Sequence, residues 1–141
     1  MSAETAVSVR QLAGDRFAIR VRGHQLEVDQ PLAAGGTDAA PTPTELFVAS
    51  LASCAAFFAA RFLRRHLGAG AEVRAECRYA WSAERPFRVT TVDIDLALPD
   101  GLPQAVREGA LRAAERCTVR DSIRSGLDVR VGVAAPEAAL R

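Results

Sequence analysis

The sequence predicts an α+β fold on three observations. Short strands of period two come first, a second group of strands follows a long helix, and that helix is apolar on nearly every face, so other structure must enclose it. The expected order is βββ-α-ββ-α-β in one domain spanning 1–141. A chain of 141 residues can bury one real core and is too short for two substantial domains.

The first strands are expected at Val7–Leu12, Phe17–Val21 and Gln25–Val28, separated by turns at Gly14-Asp15 and Gly23. Alternation marks them: Phe17, Ile19 and Val21 fall on one face, Ala18 and Arg20 on the other. Pro31 to Ala40, with Gly35-Gly36, reads as a loop. The central helix has the strongest start signal in the chain. Thr42 is the N-cap, Pro43 takes the first helical position, and Glu45 completes a capping box. The helix should run to Leu67 and stop at Gly68-Ala69-Gly70, with Arg64, Arg65 and His66 on the negative end of its dipole.

Two strands are expected next. Val73, Ala75, Cys77, Tyr79 and Trp81 share a face of the first; Val92, Ile94, Leu96 and Leu98 share a face of the second, after a turn near Arg85-Pro86. Pro103 opens a second helix that should reach Cys117, with Val106, Ala110, Ala113 and Cys117 on its apolar stripe. Leu127 to Val133 reads as a last strand, and Ala134 to Arg141 as a tail.

Composition excludes several classes of function. Eighteen basic residues, all of them arginine, stand against seventeen acidic ones, so net charge gives no pull toward nucleic acid or anionic lipid. Met1 to Ala6 lacks the basic and apolar pattern of a secretory signal. The uncharged run Leu46 to Ala60 is fifteen residues long, short of the roughly 20 a bilayer span needs, so no membrane association is expected. Three cysteines without a CxxC or CxxH pair argue against a disulfide framework and against zinc; they read as the reduced thiols of a cytoplasmic protein. Cys77 reads as core filler, and His24 and His66 have no partners in motif spacing. Cys54, midway along the central helix, and Cys117, in helical register with Val106, both point inward. Whether they pair is open at this point.

The segment Pro43-Thr44-Glu45-Leu46-Phe47-Val48-Ala49-Ser50-Leu51-Ala52-Ser53-Cys54, followed by Ala114-Glu115-Arg116-Cys117-Thr118-Val119, resembles the OsmC/Ohr family. Arg22 to Pro31 is similar to a segment of its general OsmC-like branch. The resemblance implies strands wrapped around a buried central helix in an intertwined homodimer. It also implies thiol-dependent reduction of organic hydroperoxides in oxidative or osmotic stress, with Cys54 as the peroxidatic and Cys117 as the resolving cysteine. No bound cofactor or metal is implied, only an external dithiol or lipoylated reductant and a small hydrophobic hydroperoxide or other apolar ligand.

A thiol of ordinary pKa is only a few per cent ionised at neutral pH, so Cys54 needs a nearby guanidinium. Arg61 lies seven residues on, in register with Cys54. Arg16 and Arg10 are the rough counterparts of the family's strand arginine. Glu45 lies nine residues before Cys54, and capping accounts for it; the position where the family's peroxidases carry a carboxylate is Thr44 here. Thr118 follows Cys117 where their motif has proline. These departures leave a second expectation open, an OsmC-like protein that binds an apolar ligand without significant peroxidase turnover.

Overall fold

The computed structural model describes residues 6–68 and 72–135. The expected helix stop is therefore described only to Gly68, and residues 1–5 and most of the tail from Ala134 lie outside the described residues. The chain divides into two compact units, residues 1–46 with 129–141, and residues 47–128.

The first unit carries an antiparallel sheet of β1 (Val7–Ala13), β2 (Arg16–Val21) and β3 (His24–Val28), in the order β1-β2-β3. Val9 pairs with Ile19 and Ile19 with Leu26, so the aliphatic positions line up across the ladder. The tight β1–β2 turn needs a left-handed residue, supplied by Gly14 at φ +56°. Beyond β3 the chain folds around one carboxylate. Asp29, 1% exposed, accepts hydrogen bonds from the Gln30 N–H (2.7 Å), the Ala39 N–H (3.0 Å), and the Thr37 N–H (3.3 Å) and hydroxyl (2.6 Å). The Thr37 hydroxyl and the backbone donors outweigh burial and lower its pKa to about 2. Gly36 passes so close to the Gln30 carbonyl that any Cβ would run into it.

Helix α1 (Pro43–Leu67) starts and stops where its signals place it. The Thr42 N–H donates to Glu45 Oε1 (2.8 Å), and the Glu45 N–H donates to Thr42 Oγ1 (3.1 Å), forming the capping box. Gly68, at φ +81°, donates its N–H to the Arg64 carbonyl and closes the far end. By length and composition the helix could cross a membrane. It also has the character of a core helix, because Ala55, Ala59 and Leu63 form a stripe four residues apart that is buried in the second unit.

That unit adds the hairpin β4 (Arg74–Trp81) and β5 (Val89–Ala97), then α2 (Gln104–Glu115) and α3 (Thr118–Arg124). Ala110 and Ala114 of α2 meet the α1 stripe, and Ile94, Leu96 and Val106 pack around them. Small residues on both helices allow the close approach. It is tightest at Gly109, where a Cβ would strike the Phe62 ring.

The α+β fold stands, with two corrections to the element order. The second helix ends at Glu115 instead of reaching Cys117, and an unexpected third helix follows it. The final strand expected at Leu127–Val133 does not form. Its alternation is real, but a strand exists only through a ladder, and here the apolar side is left uncovered: Val131 is 95% and Val133 102% exposed.

Candidate functional site

Helix α1 carries Cys54 half-buried on the turn between Leu51 and Ala55. Cys117 sits at the joint of α2 and α3, only 1% exposed. Its backbone is extended (φ −65°, ψ 129°), which breaks the helical path and makes it the N-cap of α3. The cap is sulfur: Cys117 Sγ accepts the Arg120 N–H at 3.4 Å. Both cysteines are free thiols, and they lie close enough for Cys54 to act on the ionisation of Cys117. Burial, and then the Cys54 thiol beside it, push the Cys117 pKa up against the opposing pull of the Arg120 and Val119 N–H groups. Cys117 is thus held as a neutral thiol at neutral pH.

A cavity of about 420 Å³ opens against Cys117. Leu51 and Ala55 line it from α1, Val92, Ile94 and Leu96 from β5, and Leu111 and Ala114 from α2. Glu115, Arg120, Ile123 and Arg124 complete it from the α2–α3 region. It is a largely aliphatic chamber with a thiol in its wall and charge at one joint. None of the described aromatic residues lines it.

The structure therefore brings Cys54 and Cys117 together, as their inward-facing positions allowed. Each of the other anticipated residues has its own setting. Glu45 is committed to its cap. Arg16, in the first unit, is held by Glu27 of its own sheet (Nη2–Oε2 2.7 Å, Nε–Oε2 2.8 Å). Arg10 lies on exposed β1, in a cleft with Ser8, Gln11, Arg20 and Gln25. Arg61 is exposed on α1. Cys77 faces inward on β4, paired across the hairpin with Ile94. Among the described residues no group of three His, Cys, Asp or Glu side chains could hold a metal.

Sequence reasoning missed Arg120 and Arg124, because it carried the second helix only to Cys117 and placed no element between there and Leu127. A signal was present. Asp121 in the first turn and Arg124 in the last complement a helix dipole, and Cys117 stands three residues before Arg120, as a cap should.

Residues 35–132 match the family model described as OsmC-like protein. No curated protein matches the chain. Solved structures with the same fold include an osmotic stress-induced and detoxification response protein of Psychrobacter arcticus, 24% identical, covering 86% of this chain and 90% of its own, with a TM-score of 0.77. The organic hydroperoxide resistance protein OsmC of Legionella pneumophila is 22% identical over 91% of this chain and 94% of its own (TM-score 0.63). The organic hydroperoxide resistance protein OhrB of Bacillus subtilis is 20% identical over 91% and 96% (TM-score 0.60). At these identities the structures establish the shared fold.

Proposed function

Since the chain belongs to the OsmC-like protein family, we propose that it is a cytoplasmic, thiol-dependent peroxidase that reduces organic hydroperoxides in oxidative or osmotic stress. The observation that carries this reading is the pairing of Cys54 with Cys117 beside an apolar cavity. The Cys54 thiolate attacks the distal oxygen of ROOH. The O–O bond breaks, ROH leaves with a proton, and Cys54 becomes a sulfenic acid. The Cys117 sulfur then attacks the Cys54 sulfur, water leaves, and a disulfide forms. An external dithiol, free or lipoylated, exchanges with that disulfide and restores both thiols, so it supplies the two electrons that reduce the peroxide. No metal or bound cofactor enters this cycle. A neutral Cys117 suits the waiting role, since a second thiolate beside the first would raise the cost of ionising Cys54.

The thiolate of Cys54 still needs a cation. Arg16, Arg10 and Arg61 remain candidates from the family pattern, and Arg120 joins them because it lines the Cys117 cavity. The functional unit is a single domain that works as a homodimer. One chain leaves Phe57 of α1 51% exposed, apolar surface of the kind that a twofold partner would cover.

Cumene hydroperoxide consumption with a dithiol reductant tests the chemistry. Wild type should turn over, Cys54→Ser should not, and Cys117→Ser should over-oxidise faster; equal rates for wild type and Cys54→Ser would end the proposal. Sedimentation at low micromolar concentration tests the dimer, which a stable, active 15 kDa species would refute. The second reading, an apolar-ligand-binding protein without turnover, draws support from the same cavity and from Thr44 in place of a carboxylate. It predicts a Cys54 that alkylates with the pH dependence of a free cysteine.

A further inference from the structure

The register of the first sheet sets two arginines close together on one face. Ser8 pairs with Arg20 and Arg20 with Gln25; in the next row Arg10 pairs with Ala18 and Ala18 with Glu27. Paired residues point to the same face, so all six side chains share it. Arg10 and Arg20 are diagonal neighbours, roughly 7–8 Å apart at their bases and able to reach one small ligand. Ala18, only 4% exposed, is the short side chain between Arg10 and Glu27. It floors a cleft of about 560 Å³ whose lining includes Ser8, Arg10, Arg20 and Gln25.

Neither Arg10 nor Arg20 has an ion pair or a side-chain hydrogen bond among the described residues. No carboxylate lines the cleft. The acids along this sheet are engaged or stand at its other end. Glu27 is held by Arg16 at 2.7 Å, Asp29 by the four donors of its own loop, and Asp15 sits in the β1–β2 turn before Arg16. Arg22, in the β2–β3 turn, adds a further positive charge just past Arg20. Two guanidiniums this close repel each other, a cost that a bound anion would remove.

We propose that this cleft binds a dianionic phosphate group, carried by a small phosphate monoester. Each guanidinium matches phosphate oxygens with parallel N–H donors, and the Ser8 hydroxyl and Gln25 amide supply neutral donors on either side of Arg20. The second guanidinium favours a dianion over a monoanion of similar shape. The cleft volume falls within the roughly 300–1,000 Å³ common for small-molecule sites and leaves room for an organic group beyond the phosphate. The site draws on the first unit alone and does not depend on the peroxidase reading.

The experiment is calorimetric titration of the full-length protein at pH 8 and low ionic strength, with glycerol 3-phosphate, inorganic phosphate and the monoanion dimethyl phosphate. Glycerol 3-phosphate should bind about tenfold or more tightly than dimethyl phosphate, the scale of one charge-assisted hydrogen bond. Arg20→Gln should lose most of that preference, and Arg20→Lys should keep part of it. Ala18→Val, which raises the floor without changing charge, should also weaken the dianion. Arg112→Gln removes the same charge from exposed α2 and should change nothing. Circular dichroism melting checks the fold of each variant; Arg20 is exposed, so its melts should match wild type. Inorganic phosphate binding as tightly as the ester would uphold the dianion site and make the free ion its ligand. Equal affinity for dianion and monoanion, equal losses in Arg20→Gln and Arg112→Gln, or no binding of any probe would overturn the proposal.

Discussion

Replacing Gly109 with alanine sets two effects of known size against each other. Gly109 lies inside α2, and alanine is favoured over glycine in a helix interior by about 1 kcal/mol. Propensity alone would therefore make Gly109→Ala stabilising. Packing says otherwise. An added methyl would overlap the tip of the Phe62 ring and sit 2.9 Å and 3.0 Å from its Cε1 and Cε2 atoms. The ring cannot move away cheaply, because it packs against the α1–α2 core and stacks on His66 with centroids 4.0 Å apart. Overpacking of this kind costs about 1–3 kcal/mol, so the net result should be a loss of about 1 kcal/mol. Urea unfolding followed by circular dichroism measures it, and the decisive arm is a double-mutant cycle. In a Phe62→Leu background the obstruction is gone, and Gly109→Ala should change sign and stabilise by up to about 1 kcal/mol. If Gly109→Ala stabilises the wild-type chain, or destabilises both backgrounds equally, the close approach of α1 and α2 at this point has been misread.

Three further outcomes are expected. Because Asp29 is held at a pKa of about 2, its contribution to stability is present above its ordinary range near 4 and is lost as pH falls through 2; Asn at this position should flatten the stability curve between pH 4 and 2, and an unchanged curve would refute the assignment. Thr42→Ala should cost about 0.5–2 kcal/mol in urea unfolding by removing the acceptor for the Glu45 N–H, and a neutral result would show that the capping box is ornamental. Cys117, buried and with its pKa raised, should alkylate at pH 8 far more slowly than a free cysteine peptide, as mass spectrometry of timed iodoacetamide digests would show; a rate at or above that of the peptide would contradict its neutral, enclosed state.

The parts of the fold that were legible in the sequence are those whose signals are local. A proline, a capping pair and a glycine bound α1 to the residue, and period-two alternation located β1 to β5 within one to three residues at either end. The inward course of Cys54 and Cys117 followed from helical phase, although Cys117 is buried by a break between helices and not by belonging to α2. That break is what sequence reasoning overlooked, since its one signal is the charge pattern of the short helix that follows. No glycine or proline marks it; Arg116 and Cys117 simply leave helical geometry, at φ −90°, ψ 32° and φ −65°, ψ 129°. Losing α3 meant losing Arg120 and Arg124, two of the three charged residues that line the cavity. The last strand failed for the opposite reason. Its pattern is local, but its existence depends on a neighbouring strand, which no pattern within the segment can supply.

The sulfur cap gives the chemistry of one atom a mechanical reach. A seven-residue helix is too short to hold itself together in water, so α3 depends on its ends and its packing. One of those ends is tied to the same Cys117 sulfur that neighbours Cys54. Any bond made at that sulfur alters the acceptor on which the first turn of α3 hangs, and with it the footing of Arg120, Ile123 and Arg124 in the cavity wall. In this arrangement the thiol is also a hinge pin: a covalent event at Cys117 is transmitted to the wall without any intervening side chain.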